Sequence, residues 1–510
     1  MRLEEVAALP GVLRAHLHDP RFELGRVHCD SRRADAKTGF VALAGMRTDG
    51  HRFVDAARRA GSPALFVSEA AVYERLAALQ PNGVAGVFLV APGRAVLADL
   101  SAALQGYPHR SMRLLGVTGT SGKTTVAHLV AQLLAALGQP CARLGTQGLR
   151  LGDEVLPSAR TTPEAPDIQA FLRHCLERGV RTAVMEVTSI GIALERSRGL
   201  GFAAAAFTNL SQDHLDFHHD MESYREAKFR LFLEYDTRAS VVNVDDAAGG
   251  LLAERLRAAG RGEHLLTYGL EAPAGLTLHG LHTGQGLTEG SLRYQGAEAP
   301  FRFGLLGRFN LSNLLAALGL LLATGERLEA LAPAIAACSG PAGRFEHVPL
   351  AVPFTVVVDY SHKPAALELV LKAARPLARG RLRVLFGCGG ERDRTKRPQM
   401  GAIAERLADQ VVLTSDNPRC EDPETILDEI AAGMSTGTRA SRIVERREAI
   451  HWLLDQAQPG DVVLIAGKGD EAYQELGEQR VAFDDREVVL EWGRSRGHGN
   501  PPAAHGAATK

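Results

Sequence analysis

GVTGTSGKTT, residues 116–125, stands between an apolar run, LLGVT, and a segment in which Val126, Leu129, Val130, Leu133, Leu134 and Leu137 recur at helical spacing. Strand, glycine-rich turn and amphipathic helix together form the setting a phosphate-binding loop needs. Backbone N–H groups of Gly119, Thr120, Ser121, Gly122, Lys123, Thr124 and Thr125 would converge at a helix N-terminus, where the dipole favours anions. Lys123 adds a point charge, and the Thr124 hydroxyl is a ligand type suited to Mg²⁺. Val117 occupies a position where the strict GxxxxGK[ST] spacing has glycine. Alone, the stretch therefore also reads as a glycine-rich turn with an exposed lysine.

The same alternation continues on both sides of the loop. Thr182 to Val187, Phe202 to Leu210 and Ala239 to Val244 read as further strands, each followed by polar or helical sequence, the signature of a doubly wound parallel sheet. A second series begins near Phe354, where FTVVVDY, RLRVLFG, QVVLTS and DVVLIAG alternate with helical segments. Before residue 105, short apolar runs mixed with Ala-rich stretches suggest a smaller α/β domain. At about 100–200 residues per domain, 510 residues suit three such units. The expected division is 1–105, 106–340 and 341–490, with a disordered tail at 491–510.

Composition excludes other classes. Lys plus Arg number 58 and Asp plus Glu 59, so no global field gathers nucleic acid or an anionic membrane surface. No stretch approaches the roughly 18 apolar residues of a membrane helix, and the N-terminus lacks a signal-peptide pattern. Six scattered cysteines without a CxxC pair read as reduced thiols, pointing to a cytoplasmic protein.

Polar residues gather at the strand ends. Glu186 closes one run beside Thr188 and Ser189, and the next is followed by Asn209, Asp213, His214, Asp216 and His218. In doubly wound folds ligands bind at the C-terminal strand ends, where a carboxylate near a phosphate loop can hold Mg²⁺. The plainer reading is a solvated strand-end acid, with His218 and His219 as loop residues.

Taken together, TGTSGKTT, MEVTS, FTNLSQDHLD, YREAKFRLF, GRFNLSNLLAA, GPAGRFE, VVDYSHKP and AGKGDE occur in one order from about residue 30 to 486 and resemble the Mur ligases. These form amide bonds at the expense of ATP while building the peptidoglycan precursor. The resemblance implies a central phosphate-loop domain, a Rossmann-like C-terminal domain and a smaller N-terminal domain that binds the uridine nucleotide. DSR at 30–32, TTP at 161–163, FGCGGERD at 386–393 and SDNPR at 415–419 resemble the branch that attaches the third residue of the peptide.

The resemblance also implies roles. ATP phosphoryl transfer to a peptide carboxylate, followed by attack of an amino group on the acyl phosphate, needs no protein nucleophile; positioning and charge neutralisation suffice. Thr124 and Glu186 would hold one Mg²⁺, and Glu186 with His214 a second. Lys228 matches a carbamylated lysine. Asn310 and Asn313 would read the adenine edge, although asparagine also caps helices. Arg344 would reach phosphate and Asp359 the ribose.

For UDP-N-acetylmuramoyl-L-alanyl-D-glutamate the matching positions are Ser31, Arg47, Thr48, Thr161, Thr162, Thr188 and Arg196. Ile190 and Leu194 depart from the polar residues usual there. For the incoming amino acid they are Arg392, Asp416, Asn417, Pro418, Arg419, Gly467 and Glu471. A guanidinium suits the distal carboxylate of meso-2,6-diaminopimelate. Asp470 replaces the histidine of the usual GKGHE, which leaves lysine or ornithine open. A folylpolyglutamate-type ligase, another Mur enzyme and a non-catalytic nucleotide-binding regulator are the competing readings. The expected assembly is a monomer without nucleic acid or membrane partners.

Overall fold

The computed structural model describes residues 1–45, 48–79, 83–284, 287–435 and 440–498. Met1–His282, Glu289–Arg302 and Ser312–Ala337 form one compact unit; most of the second lies C-terminal to Cys338. Residues 1–105 and most of 106–340 fall in this first unit, which carries two sheets.

The smaller sheet of the first unit has five strands, four parallel from Arg26–His28 to Gly86–Val90 and an antiparallel edge at Val12–Leu17. The larger sheet has a parallel centre in the order Cys141–Gly145, Thr182–Glu186, Arg113–Thr118, Phe202–Phe207, Thr237–Asn243 and Leu265–Tyr268. Its first strand in the chain therefore lies between the third and fourth, the point where crossovers change direction and a crevice opens at the C-terminal strand ends. Five more strands extend the sheet to eleven. These were not apparent as strands because they alternate polar and apolar residues on a partly solvated face; Ala297–Phe303, for example, alternates exposed and buried positions along most of its length.

In the second unit the four expected strands are neighbours. Thr355–Asp359, Val462–Ala466, Leu382–Phe386 and Gln410–Leu413 run parallel in that order, flanked by Glu346–His347 and Ser441–Arg442. A separate hairpin pairs Tyr473–Leu476 with Gln479–Ala482. The expected disordered tail begins too early. Asp485–Ser495 is a helix capped by Asp484, and Val488, Val489 and Trp492 bury one face. The Gly- and Pro-rich composition beyond residue 496 had masked that short apolar stripe; residues 499–510 lie outside the described residues. All six cysteines are free thiols, and no helix among the described residues is long and apolar enough to cross a membrane.

Candidate active site

The phosphate loop leaves the strand at the switch point and enters the helix Lys123–Ala136. Gly119, at φ +148°, and Gly122, at φ +88°, adopt backbone conformations that side-chain-bearing residues avoid. An added Cβ would collide with Thr208 Oγ1 at the first and Asn313 Oδ1 at the second. The loop is further tied to the neighbouring strand end: Ser121 N donates to Asn209 Oδ1 at 3.0 Å, and Thr208 Oγ1 donates to Ser121 O at 2.6 Å. Lys123 Nζ folds back on the loop, donating to Gly119 O at 2.8 Å and Thr120 O at 2.9 Å.

Glu186 ends the adjacent strand, and parallel register sets it beside Val117. It is 2% exposed. Its carboxylate accepts from Thr124 Oγ1 at 3.0 Å, Thr146 N at 3.0 Å and Thr146 Oγ1 at 3.2 Å. Thr124 and Glu186, far apart in sequence, are thus in contact. Gly145 makes room for the acid, since a Cβ there would strike Glu186 Oε1. Gly145→Ala should therefore displace the carboxylate and lower kcat by about 10²-fold, the scale of a 1 Å misplacement. Steady-state kinetics beside thermal unfolding would check this, and unchanged kcat would show that the position of Glu186 is not critical.

Lys228 lies on the helix Met221–Leu233 and is 1% exposed. Its Nζ donates to Gly119 O at 3.0 Å and sits 4.3 Å from the Tyr224 ring centroid. Tyr224 in turn shares a 3.2 Å hydrogen bond with Thr120 Oγ1 and meets the His214 ring edge to face. His214, in the left-handed region at φ +53°, lies 3.5 Å from Asp213. His218 is no loop residue: it is buried and bonded to Ser189 Oγ at 2.9 Å, and burial lowers its imidazole pKa.

The residues matched to the nucleotide peptide are only partly gathered. Thr162 Oγ1 bonds Glu186 O and Thr188 Oγ1, both at 2.9 Å, and Thr161 Oγ1 bonds Thr146 Oγ1 at 3.1 Å. Arg196 donates to Thr162 O at 3.3 Å. Around it lies a cluster that motif reading missed: Glu164 pairs with Arg94, with Arg160 at 2.6 Å and with Arg196 at 3.1 Å. Arg94 Nε also donates to Leu194 O at 2.9 Å, so this apolar departure contributes through its backbone. Ser31 opens a short 3₁₀ turn capped by Asp30, and Thr48 O accepts from Gly45 N at 3.1 Å. Arg47 lies outside the described residues.

In the second unit, Asp359, Arg392, the 416–419 run and Gly467 lie at or beyond the C-terminal ends of neighbouring strands, whereas Arg344 precedes the strand Glu346–His347. Asp359 is taken up locally, accepting from Phe345 N at 2.6 Å, Ser361 N at 2.8 Å and the Ser361 hydroxyl. Arg344 stacks 4.1 Å over the Tyr360 ring. Asn310, on the same helix as Asn313, donates to Leu306 O at 2.8 Å.

Asn417 is a hub. It donates to Glu471 at 3.0 Å and accepts from the buried Lys468 and from Glu475 N, each at 3.0 Å. Burial lowers the Lys468 pKa and raises that of Glu471. Pro418 O closes a turn with Glu421 N, Gly467 at φ +119° has no room for a Cβ beside Asp416, and Arg392 is exposed. Beneath them Arg446 and Asp485, fully buried, form a bidentate pair at 2.7 Å, and Arg446 reaches Ser415 O and Ala466 O. It thereby braces the residues preceding both loops. The signal for such a residue was weak, since a lone arginine at a helix start reads as solvated.

A phosphate-gripping loop facing a buried strand-end carboxylate, on a doubly wound sheet, defines a nucleotide-phosphate-handling α/β protein. Residues 117–321 match the Mur ligase middle domain, 343–469 the Mur ligase glutamate ligase domain, and 23–104 the Mur ligase family catalytic domain. The chain belongs to the Mur ligase family and is an ATP-dependent amide ligase. A protein of Parasynechococcus marenigrum, named UDP-N-acetylmuramoyl-L-alanyl-D-glutamate--2,6-diaminopimelate ligase, is 45% identical over 95% of this chain and 97% of its own. A Bacillus velezensis protein of the same name is 38% identical over 92% and 94%. A solved structure under that name aligns with TM-score 0.69 at 33% identity, over 98% of this chain and 99% of the other. Mycobacterium tuberculosis folylpolyglutamate synthase shares the fold, with TM-score 0.60 at 19% identity over 72% and 91%.

Proposed function

We propose that this chain joins meso-2,6-diaminopimelate to the D-glutamate carboxyl of UDP-N-acetylmuramoyl-L-alanyl-D-glutamate, converting ATP to ADP and phosphate, as a cytoplasmic monomer in peptidoglycan precursor synthesis. Relatives named for this reaction over nearly the whole chain support the reading. The observation that carries it is the Thr124–Glu186 contact beside the phosphate loop.

Backbone N–H groups of the loop 119–125, other than those of Thr120 and Ser121 that Asn209 engages, bind the ATP phosphates, and Lys123 turns from the loop carbonyls to the transferring phosphoryl group. Asn310 and Asn313 face the base, Arg344 the phosphates and Asp359 the ribose. Thr161, Thr162, Thr188 and Arg196 orient the D-glutamate end, while Ser31, Arg47 and Thr48 hold the uridine nucleotide. The hydroxyl of Thr124 and the carboxylate of Glu186, given room by Gly145, fit a hard cation, with His214 and carbamylated Lys228 contributing to a second. Mg²⁺ held there supplies charge neutralisation for the polyphosphate. A carbamate on Lys228 keeps one N–H for Gly119 O and replaces a cation with an anion. Arg392 and Arg419 receive the distal carboxylate, and Gly467 with Glu471 the distal ammonium.

Asp470 favours a second reading, in which a purely cationic side chain such as lysine or ornithine is taken. Initial rates of phosphate release with the three amino acids at equal concentration separate them. Diaminopimelate is expected to exceed the others by at least about tenfold, the scale of the charge-assisted hydrogen bonds that only its distal carboxylate can make to a guanidinium. A preference for lysine or ornithine would sink the first reading.

A further inference from the structure

The hairpin Tyr473–Leu476/Gln479–Ala482 lies along the residues that the proposed function assigns to amino-acid recognition, and no motif pointed to it. Arg419 N donates to Glu475 O at 3.1 Å, Gly477 N to Arg419 O at 2.9 Å, and Gln474 Nε2 to Asp416 O at 2.7 Å. These contacts hold Arg419 at φ +52°, a left-handed conformation that non-glycine residues disfavour. The backbone therefore spends stability to aim this one guanidinium.

The aim is only half used. Arg419 Nη1 donates to Gly390 O at 2.7 Å, a fixed anchor. Its Nη2 lies 2.9 Å from Glu475 Oε2, yet that buried oxygen has no aligned hydrogen bond. The pair is a charge contact without hydrogen-bond geometry. A free carboxylate meeting the guanidinium edge-on would make the aligned, bidentate contact that Glu475 does not.

We propose that Glu475 is a displaceable internal carboxylate: it neutralises Arg419 while the site is empty and yields to the distal carboxylate of the diamino acid, setting the affinity for that substrate. This rests on the proposed role of Arg419. Glu475 also lowers discrimination, because a substrate without a distal carboxylate leaves Arg419 paired and incurs no penalty. Removing its charge should strengthen binding of the dicarboxylic substrate and weaken acceptance of lysine.

Full-length wild type and Glu475→Gln are compared in steady-state kinetics with meso-diaminopimelate or lysine varied at saturating ATP and nucleotide dipeptide. A partly exposed, misaligned ion pair is weak, so KM for diaminopimelate should fall about two- to fivefold. KM for ATP and for the nucleotide should stay put, and the rate with lysine relative to diaminopimelate should drop. Calorimetric binding of diaminopimelate should tighten in parallel. An unchanged or raised KM for diaminopimelate overturns the inference, and so does loss of folded structure in the variant, since either makes Glu475 a support for Arg419. A wild type that rejects diaminopimelate overturns the proposed substrate together with this inference, whereas one that uses it without the KM shift overturns the inference alone.

Discussion

Lys228→Ala should abolish nearly all ligation, with kcat falling by about 10²- to 10³-fold, the loss seen when a preorganised charge at a reacting centre is removed. The side chain is 1% exposed, and its nitrogen is tied to the carbonyl of Gly119, the residue that opens the phosphate loop. Alanine removes both that tie and any carbamate the nitrogen carries. Small carboxylates distinguish the two losses. Formate or acetate added to the variant should restore part of the rate, because either anion can occupy the carbamate's place, but neither rebuilds the contact to Gly119. Near-normal activity without additives would refute the assignment, and a dead variant that no carboxylate revives would reduce Lys228 to a brace for the loop.

Glu186→Gln should cost a similar factor in kcat and raise the Mg²⁺ concentration needed for half-maximal rate. The substitution is isosteric and its folding cost is small. An amide oxygen can still accept from Thr146 N, and the hydroxyls of Thr124 and Thr146 can turn to accept from the new NH₂ group. What disappears is the charge, in a site where burial magnifies it. Titrating Mg²⁺ against rate for both proteins, with thermal unfolding as the control, reads that loss. An unaltered Mg²⁺ requirement would place the cation elsewhere.

The legible parts of the sequence were those whose physics is local. Apolar runs buried on both sides, such as Val462–Ala466, and a glycine-bearing strand-to-helix turn announce themselves wherever they occur. Glu186 was legible as a strand-end acid, because parallel strands deliver such residues to one edge. Less legible were elements whose pattern is diluted by solvent. The strands of the sheet margins alternate with polar residues, and the helix Asp485–Ser495 hides beside a Gly- and Pro-rich tail. Hidden too were residues that act on other residues: Gly145, where a Cβ would strike Glu186; Arg446, which pairs with Asp485 and reaches two backbone carbonyls; and Arg94 and Arg160, which join Arg196 around Glu164.

The sequence by itself determined the α/β class, the phosphate loop, the order of the motifs and so the family, because these depend on hydrophobic period, on glycine's access to positive φ and on residues close together in the chain. Tertiary structure alone decided which charges meet. Thr124 finds Glu186, Lys228 finds Gly119 and Arg419 finds Glu475 through strand register and hairpin placement, which depend on contacts between segments tens to more than a hundred residues apart. An ion pair leaves no periodic trace in either partner's neighbourhood, so Glu475 could be read as the counter-charge of Arg419 only after the chain had folded.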